Sequence, residues 1–144
     1  MTRLSQVAVA LDAQLIGPDV AFLNANTDSR KIQAGDLFIA LRGEKFDGAE
    51  YVAASLKAGA IAALFNRESY VALRAELPAD ASLLLVADTR IALGKLAAFW
   101  RAQFDIPLVA ITGSNGKTTV KEMLAAILRE HAGDTVLATQ GNFN

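Results

Sequence analysis

Residues 108–119 decide the fold, and they read Leu-Val-Ala-Ile-Thr-Gly-Ser-Asn-Gly-Lys-Thr-Thr. The apolar run 108–111 follows Pro107 and predicts a buried strand, and the glycines and polar residues after it predict a loop. Beyond the loop, apolar residues recur at helical spacing, namely Val120, Met123, Leu124, Ile127 and Leu128. A strand, a glycine-rich loop and a helix in this order are typical of α/β proteins that bind phosphate groups.

The loop has the residue types that a nucleotide phosphate requires. Backbone amides in such a turn face the phosphate oxygens, and the helix N-terminus adds roughly half a positive charge. Lys117 is then placed to reach the β- and γ-phosphates in a catalytic role, and the Thr118 hydroxyl to ligate Mg²⁺. We therefore predict an ATP and Mg²⁺ site formed by Gly113, Ser114, Asn115, Gly116, Lys117, Thr118 and Thr119.

The loop departs from the general P-loop pattern at one position, and it also has a purely structural interpretation. Ile111 stands where the general P-loop pattern has its first glycine, so the match to that pattern is partial. A glycine turn that merely caps a helix, with a solvated Lys117, is the alternative. A cation at a helix N-terminus is mildly unfavourable, however, so a purely structural turn does not explain why a lysine stands there.

The residues upstream alternate between helix and strand patterns. Helices are predicted over 4–11, 49–58 and 69–77, and apolar strands over 36–41, 60–65 and 83–87. Such alternation predicts an α/β fold with a mixed or largely parallel sheet. From Asp88, a plausible helix cap, a long amphipathic helix begins a second pattern that ends in a predicted strand over 135–139. We accordingly divide the chain into domains 1–85 and 86–144.

The composition excludes several classes of protein. The 144 residues include 14 Lys and Arg against 15 Asp and Glu, a net charge of −1 that argues against a nucleic-acid partner. Without cysteine there is no disulfide or Cys-ligated metal site, and one histidine leaves little for a metal centre. Gln6, Asp12 and Gln14 interrupt the N-terminal apolar residues, so we expect a cytoplasmic protein without membrane insertion.

Several segments resemble the Mur ligases. Residues 112–119 are similar to the ATP loop of that family, whose version also lacks the early glycine, and residues 120–123 and 141–144 are similar to the member that adds D-alanyl-D-alanine. Upstream, the resemblance extends to 27–30, 35–41, 43–48 and 88–90, and thus to almost the whole chain.

This resemblance implies an N-terminal uridine-nucleotide substrate domain over 1–85 and the beginning of a P-loop ATPase domain over 86–144. It also implies an ATP-dependent ligase that joins UDP-N-acetylmuramoyl-tripeptide to D-alanyl-D-alanine through an acyl phosphate. The implied substrate-binding residues are Asp28, Ser29, Arg30, Gly43, Glu44, Lys45, Phe46, Asn142 and Asn144. Because fewer than 60 residues follow Asp88, we expect the ATPase domain to be incomplete and the chain to be inactive alone.

Alternative functions remain open at this point. The chain could represent the related ligase that adds the third peptide residue, a kinase or other P-loop NTPase, or a non-catalytic module that binds a UDP-sugar. On the residues alone, Asp28, Ser29 and Arg30 are also suited to bracing a turn, because Asp and Ser are favoured in turns. Binding of the uridine nucleotide and of ATP, measured separately, distinguishes these functions.

Overall fold

A computed structural model describes residues 1–43 and 46–139. The chain divides into two compact units, Met1–Phe104 and Asp105–Asn144. Among the described residues, no helix is both long enough and apolar enough to cross a membrane.

The first unit is an α/β unit. Its helices are α1 (Leu4–Leu11), α2 (Val52–Lys57), α3 (Arg67–Leu73) and α4 (Thr89–Arg101), with 3₁₀ turns at Ser29–Lys31 and Gly48–Tyr51. Its strands are β1 (Thr2–Arg3), β2 (Gln14–Ile16), β3 (Ala21–Phe22), β4 (Ala25–Asn26), β5 (Leu37–Ile39), β6 (Ala62–Asn66) and β7 (Leu83–Val86).

The main sheet has five strands in the order β2-β7-β6-β5-β4. Strands β4 to β7 are parallel, and β2 pairs antiparallel with β7, so the predicted mixed sheet is confirmed. A separate antiparallel pair joins β1 and β3. The carboxyl ends of four parallel strands therefore meet at one edge, which is where open α/β sheets bind ligands.

Both faces of the central strands are buried, which explains their uninterrupted apolar sequences. One face packs Leu37, Ile39, Leu64 and Leu84 against α1 and α4. The opposite face packs Phe38, Ala63, Phe65 and Leu85 with residues of α2 and α3. A sheet covered by helices on both faces gives the edge loops a rigid base.

Helix α4 belongs to this first unit, whereas the sequence division at 85–86 assigns it to the second domain. Ala92 and Leu96 of α4 are buried in the same cluster as Leu4 and Val7 of α1. Periodicity shows that a helix has an apolar face, but it does not show which element covers that face. The structural units therefore change after Phe104.

The second unit contains one long helix, α5 (Lys117–Ala132), followed by a 3₁₀ turn at Gly133–Thr135. The predicted helix is confirmed, but the predicted strands at 108–111 and 135–139 are wrong, since the described residues there form neither strand. A strand requires a neighbour for its backbone hydrogen bonds, and the described part of this unit supplies none. An apolar run in the sequence does not show whether a neighbouring strand is present to pair with it.

Candidate functional site

The predicted phosphate loop leads directly into α5. Gly116 is the N-cap of the helix and has a φ of 76°, and Gly113 has a φ of 151°. Residues with a Cβ rarely adopt these angles, so the two glycines are required by the path of the backbone. A Cβ on Gly116 would meet nothing within 4 Å, so the loop backbone is open to an approaching group at this position.

Lys117 folds back over the loop. Its Nζ atom donates a hydrogen bond to the carbonyl oxygen of Gly113 at 2.8 Å. The ammonium group therefore lies beside the loop, close to the positive end of the α5 dipole. Lys117 is half-buried, while the other residues of 112–119 are exposed. This arrangement combines a cation, free space and a helix N-terminus, which are the components of an anion site.

Thr118 follows Lys117 in the first turn of α5, and that turn contains no acidic residue. A hydroxyl beside a phosphate loop is suited to Mg²⁺, which takes oxygen ligands and keeps several waters. Among residues 1–43 and 46–139, no three His, Cys, Asp or Glu side chains group in a way that could hold a metal ion. The Mg²⁺ ligand assigned to Thr118 stays a prediction.

A second set of predicted residues lies after β4. Asp28 accepts hydrogen bonds from Nε of Arg30 at 2.8 Å and from Nη2 at 2.9 Å, in a bidentate ion pair. It also accepts from the Arg30 backbone amide at 3.1 Å and so caps the 3₁₀ turn. These hydrogen bonds, together with the Arg30 charge, lower the pKa of the Asp28 carboxyl to about 2.

This geometry assigns Asp28 a bracing role in the turn, as its residue type alone suggests. Asp28 fixes the direction of the Arg30 side chain, which is 85% exposed. Ser29, which stands between these two residues in the sequence, is half-buried. An exposed guanidinium on a braced turn is available to an anionic ligand, and substrate binding by these residues stays a prediction.

The third set lies after β5, on the two facing segments 41–43 and 46–48, which we call the hairpin. The Gly43 amide donates to the carbonyl of Phe46 at 2.8 Å, and the Gly48 amide donates to the carbonyl of Leu41 at 3.0 Å. Arg42 and Asp47 form an antiparallel bridge between these contacts. The Phe46 side chain is 56% exposed. Glu44, Lys45, Asn142 and Asn144 lie outside the described residues.

Asp47 ties the hairpin to α3. Its carboxylate accepts from the Ser69 hydroxyl at 2.6 Å and from the Ala49 amide at 2.9 Å. Burial raises the pKa of Asp47, but the hydrogen bonds from Ser69 and Ala49, the nearby Asn66 side chain and the charge of Arg42 outweigh it. The net pKa lies below its ordinary value, so the carboxylate is ionised at neutral pH.

A cleft opens beside the hairpin at the carboxyl edge of the sheet. It has a volume of about 320 Å³ and is lined by Arg42, Gly43, Asn66, Ala87, Asp88, Thr89 and Arg90. The Thr89 hydroxyl accepts from the Arg42 amide at 3.1 Å, and the Arg42 guanidinium pairs with Glu68 at 2.7 Å. Of the predicted binding residues that the structure describes, Gly43 alone lines this cleft.

Four residues of this cleft were not predicted as site residues from the sequence, namely Arg42, Asn66, Thr89 and Arg90. Each follows or ends one of the strands β5, β6 and β7, and parallel strands present their carboxyl ends at the same edge. Their position at or after the end of a predicted strand was the sequence signal that could have identified them. Asp88, by contrast, caps α4 by accepting from the amides of Arg90 and Ile91, which confirms the cap predicted for it.

Comparison with known families gives two matches that together cover most of the chain. Residues 23–101 match the family described as "Mur ligase family, catalytic domain". Residues 111–144 match "Mur ligase middle domain", which includes the phosphate loop and α5.

Two curated relatives carry the name UDP-N-acetylmuramoyl-tripeptide--D-alanyl-D-alanine ligase. The protein from Haemophilus influenzae is 45% identical over 149 residues, covering 100% of this chain and 31% of its own length. The protein from Escherichia coli is 44% identical over 141 residues, covering 98% of this chain and 29% of its own length. The chain therefore spans less than a third of these relatives.

Solved structures of Mur ligases also match this chain. A UDP-N-acetylmuramoylalanyl-D-glutamyl-2,6-diaminopimelate--D-alanyl-D-alanyl ligase from Acinetobacter baumannii matches with a TM-score of 0.72 and 38% identity, over 88% of this chain and 27% of that one. A MurF ligase from Thermotoga maritima, solved in complex with ADP, matches with a TM-score of 0.63 and 31% identity, over 74% of this chain and 23% of that one.

Proposed function

Because this chain belongs to the Mur ligase family, we propose that it supplies a uridine-nucleotide-binding unit and an ATP phosphate loop to an ATP-dependent ligase. The proposed reaction joins D-alanyl-D-alanine to UDP-N-acetylmuramoyl-tripeptide. The observation that carries the proposal is the loop ahead of α5, where Lys117 bends back to the carbonyl of Gly113. Three relatives named for this reaction are 41–45% identical to the chain.

Residues 113–119 hold the phosphates of ATP in this proposal. When bound, ATP supplies the phosphoryl group that activates the terminal carboxylate of the tripeptide. The loop amides and the α5 dipole bind phosphate oxygens, and Lys117 exchanges its contact with Gly113 for the β- and γ-phosphates. The Thr118 hydroxyl provides one ligand to Mg²⁺. These groups neutralise charge that develops during phosphoryl transfer.

The carboxyl edge of the sheet holds the uridine nucleotide. Arg30 on the braced turn supplies a cation, and Phe46 on the hairpin supplies an exposed aromatic ring, while Gly43 lines the cleft. The cleft between the hairpin and α4 adds Arg42 and Arg90. Cationic side chains around a cleft suit a diphosphate, and an exposed ring suits a base or sugar face.

A second candidate is the ligase that adds the third peptide residue. A UDP-N-acetylmuramoyl-L-alanyl-D-glutamate--2,6-diaminopimelate ligase from Prochlorococcus marinus is 36% identical over 125 residues, covering 85% of this chain and 24% of its own length. Its acceptor is a dipeptide nucleotide, whereas the proposed acceptor is a tripeptide nucleotide. Comparing the affinity of the chain for the two nucleotides therefore separates the candidates.

A hybrid enzyme tests the proposed reaction. Residues 1–144 replace the matching segment of the Haemophilus influenzae relative, and ADP release is followed with UDP-N-acetylmuramoyl-tripeptide and ATP. We expect release that depends on D-alanyl-D-alanine and is lost in the Lys117→Ala hybrid. A folded hybrid that binds both nucleotides but releases no ADP would contradict the assignment. The unmodified relative is the control for the assay.

A further inference from the structure

The first turn of α3 contacts the hairpin that carries Gly43 and Phe46. We propose that Ser69, acting through Asp47, is a positioning residue that sets the geometry of this hairpin for the uridine nucleotide. The inference rests on the proposed function, because it assigns Ser69 to the same binding site. Neither the sequence patterns nor the family matches assign Ser69 a role.

The Ser69 contact is short and partly sheltered from solvent. Its hydroxyl donates to Oδ2 of Asp47 at 2.6 Å, while the Ala49 amide donates to Oδ1 at 2.9 Å. Each carboxylate oxygen therefore has a donor, and the carboxylate is held in one orientation. Hydrogen bonds to an ionised acceptor are about twice as strong as neutral ones.

Asp47 transmits this restraint to the binding residues through the narrow hairpin. It directly follows Phe46, whose carbonyl accepts from the Gly43 amide at 2.8 Å. On its other side, a Cβ on Gly48 would lie 2.7 Å from the Leu41 carbonyl oxygen, so the two sides approach too closely for independent movement. Displacement of Asp47 therefore displaces Phe46 and Gly43.

Ser69 is itself anchored to the sheet. Asn66 ends β6, is 3% exposed and accepts a hydrogen bond from the Ser69 backbone amide at 2.8 Å. This cap uses only the backbone of Ser69, so replacement of the side chain leaves the cap in place. The hydroxyl is therefore free to serve Asp47, and its removal leaves the start of α3 intact.

The neighbouring residue Glu68 gives a matched control. It pairs with Arg42 at 2.7 Å, on the opposite side of the same hairpin, but the two side chains are 82% and 53% exposed. Exposed ion pairs contribute little to stability. The difference in exposure predicts that Ser69, and not Glu68, sets the hairpin geometry.

The test uses the 144-residue chain and its variants Ser69→Ala, Ser69→Thr and Glu68→Gln. Affinity for UDP-N-acetylmuramoyl-tripeptide is measured by calorimetry, and the amide NMR shifts of Gly43 and Phe46 are recorded without ligand. Ser69→Ala should weaken binding by about fivefold or more and move both shifts. Ser69→Thr, which keeps the hydroxyl, and Glu68→Gln should stay within about twofold of the parent.

Two outcomes overturn the inference. In one, Ser69→Ala binds as tightly as the parent and leaves the two amide shifts in place. In the other, Ser69→Thr weakens binding as much as Ser69→Ala, which would assign the effect to packing and not to the hydroxyl. If the parent chain binds no uridine nucleotide, the proposed function fails, and the ligand-free shifts still decide whether Ser69 positions the hairpin.

Discussion

Lys117 and Gly113 are joined by a hydrogen bond of 2.8 Å from the lysine Nζ to the glycine carbonyl, across the loop that precedes α5. The contact holds an ammonium group beside backbone amides at a helix N-terminus. Lys has three donors, so an ammonium with one carbonyl partner among the described residues retains donors for phosphate oxygens. The contact thus places the ammonium where we propose that a phosphate binds.

Lys117→Ala should weaken ATP binding to the chain. The substitution removes a charge-assisted hydrogen bond, whose loss costs about 1.5–3 kcal/mol, or roughly 10- to 150-fold in affinity. Calorimetric titration with MgATP measures the effect. Lys95→Ala is the control, because Lys95 is an exposed lysine of α4 and its loss changes the net charge equally. Equal losses in the two variants would assign the effect to net charge alone.

Asp28 should titrate far below an ordinary carboxyl. The folded pKa is about 2 against a reference of 3.8, with hydrogen bonds from Arg30 as the main cause. Because the folded pKa is depressed, the stabilisation of the turn is present above pH 3.8 and is lost as the pH falls through about 2. Carboxyl ¹³C NMR recorded as a function of pH gives the midpoint of the Asp28 titration. Arg30→Gln should raise it towards 3.8, and a midpoint near 3.8 in the parent would contradict the ion pair.

Asp88→Ala should destabilise the first unit by about 1 kcal/mol, because it removes the N-cap of α4. Asp88 accepts from the amides of Arg90 at 2.8 Å and Ile91 at 3.0 Å. Asp88→Asn, which keeps an acceptor oxygen, should recover most of the loss. Urea unfolding measures both variants. A loss in the Asn variant as large as that in the Ala variant would show that the charge matters more than the cap.

Two glycine substitutions should have opposite effects on stability. Gly94→Ala should stabilise the chain by about 0.5–1 kcal/mol, since Gly94 lies within α4 and its Cβ would meet nothing within 4 Å. Gly17→Ala should destabilise it by more than about 1 kcal/mol. Gly17 has a φ of 79°, and its Cβ would lie 2.1 Å from the Ala81 carbonyl oxygen. Urea unfolding measures the change in the free energy of unfolding for each variant. Changes of the same sign would contradict the backbone conformations given for the two glycines.

The sequence predicted the elements that have strong local patterns. The strands β5, β6 and β7 are apolar because helices cover both of their faces, and α1 and α5 have regular apolar spacing. The short strands β1 to β4 were missed, because two or three residues are too few to show alternation. Their pairing depends on contacts far along the chain, such as that of Leu15 with Leu84.

The candidate site, like the fold, could be predicted from the sequence only where its residues form a local pattern. The phosphate loop could be proposed from the sequence because its residues are contiguous, from Gly113 to Thr119, and its role stays a prediction. The cleft at the sheet edge could not, because Arg42, Asn66 and Arg90 come together only through the order of the strands. The Ser69–Asp47 contact joins residues 22 positions apart, and no local pattern indicates it.

We propose that one chain carries both a uridine-nucleotide site and an ATP loop. Separate NMR titrations of the ¹⁵N-labelled chain with UDP-N-acetylmuramoyl-tripeptide and with MgATP test it most directly. The first ligand should shift amides within 26–30 and at Gly43 and Phe46, and the second should shift amides within 113–119. Shifts with MgATP alone would contradict the proposed uridine-nucleotide site, and shifts with the uridine nucleotide alone would contradict the proposed ATP loop.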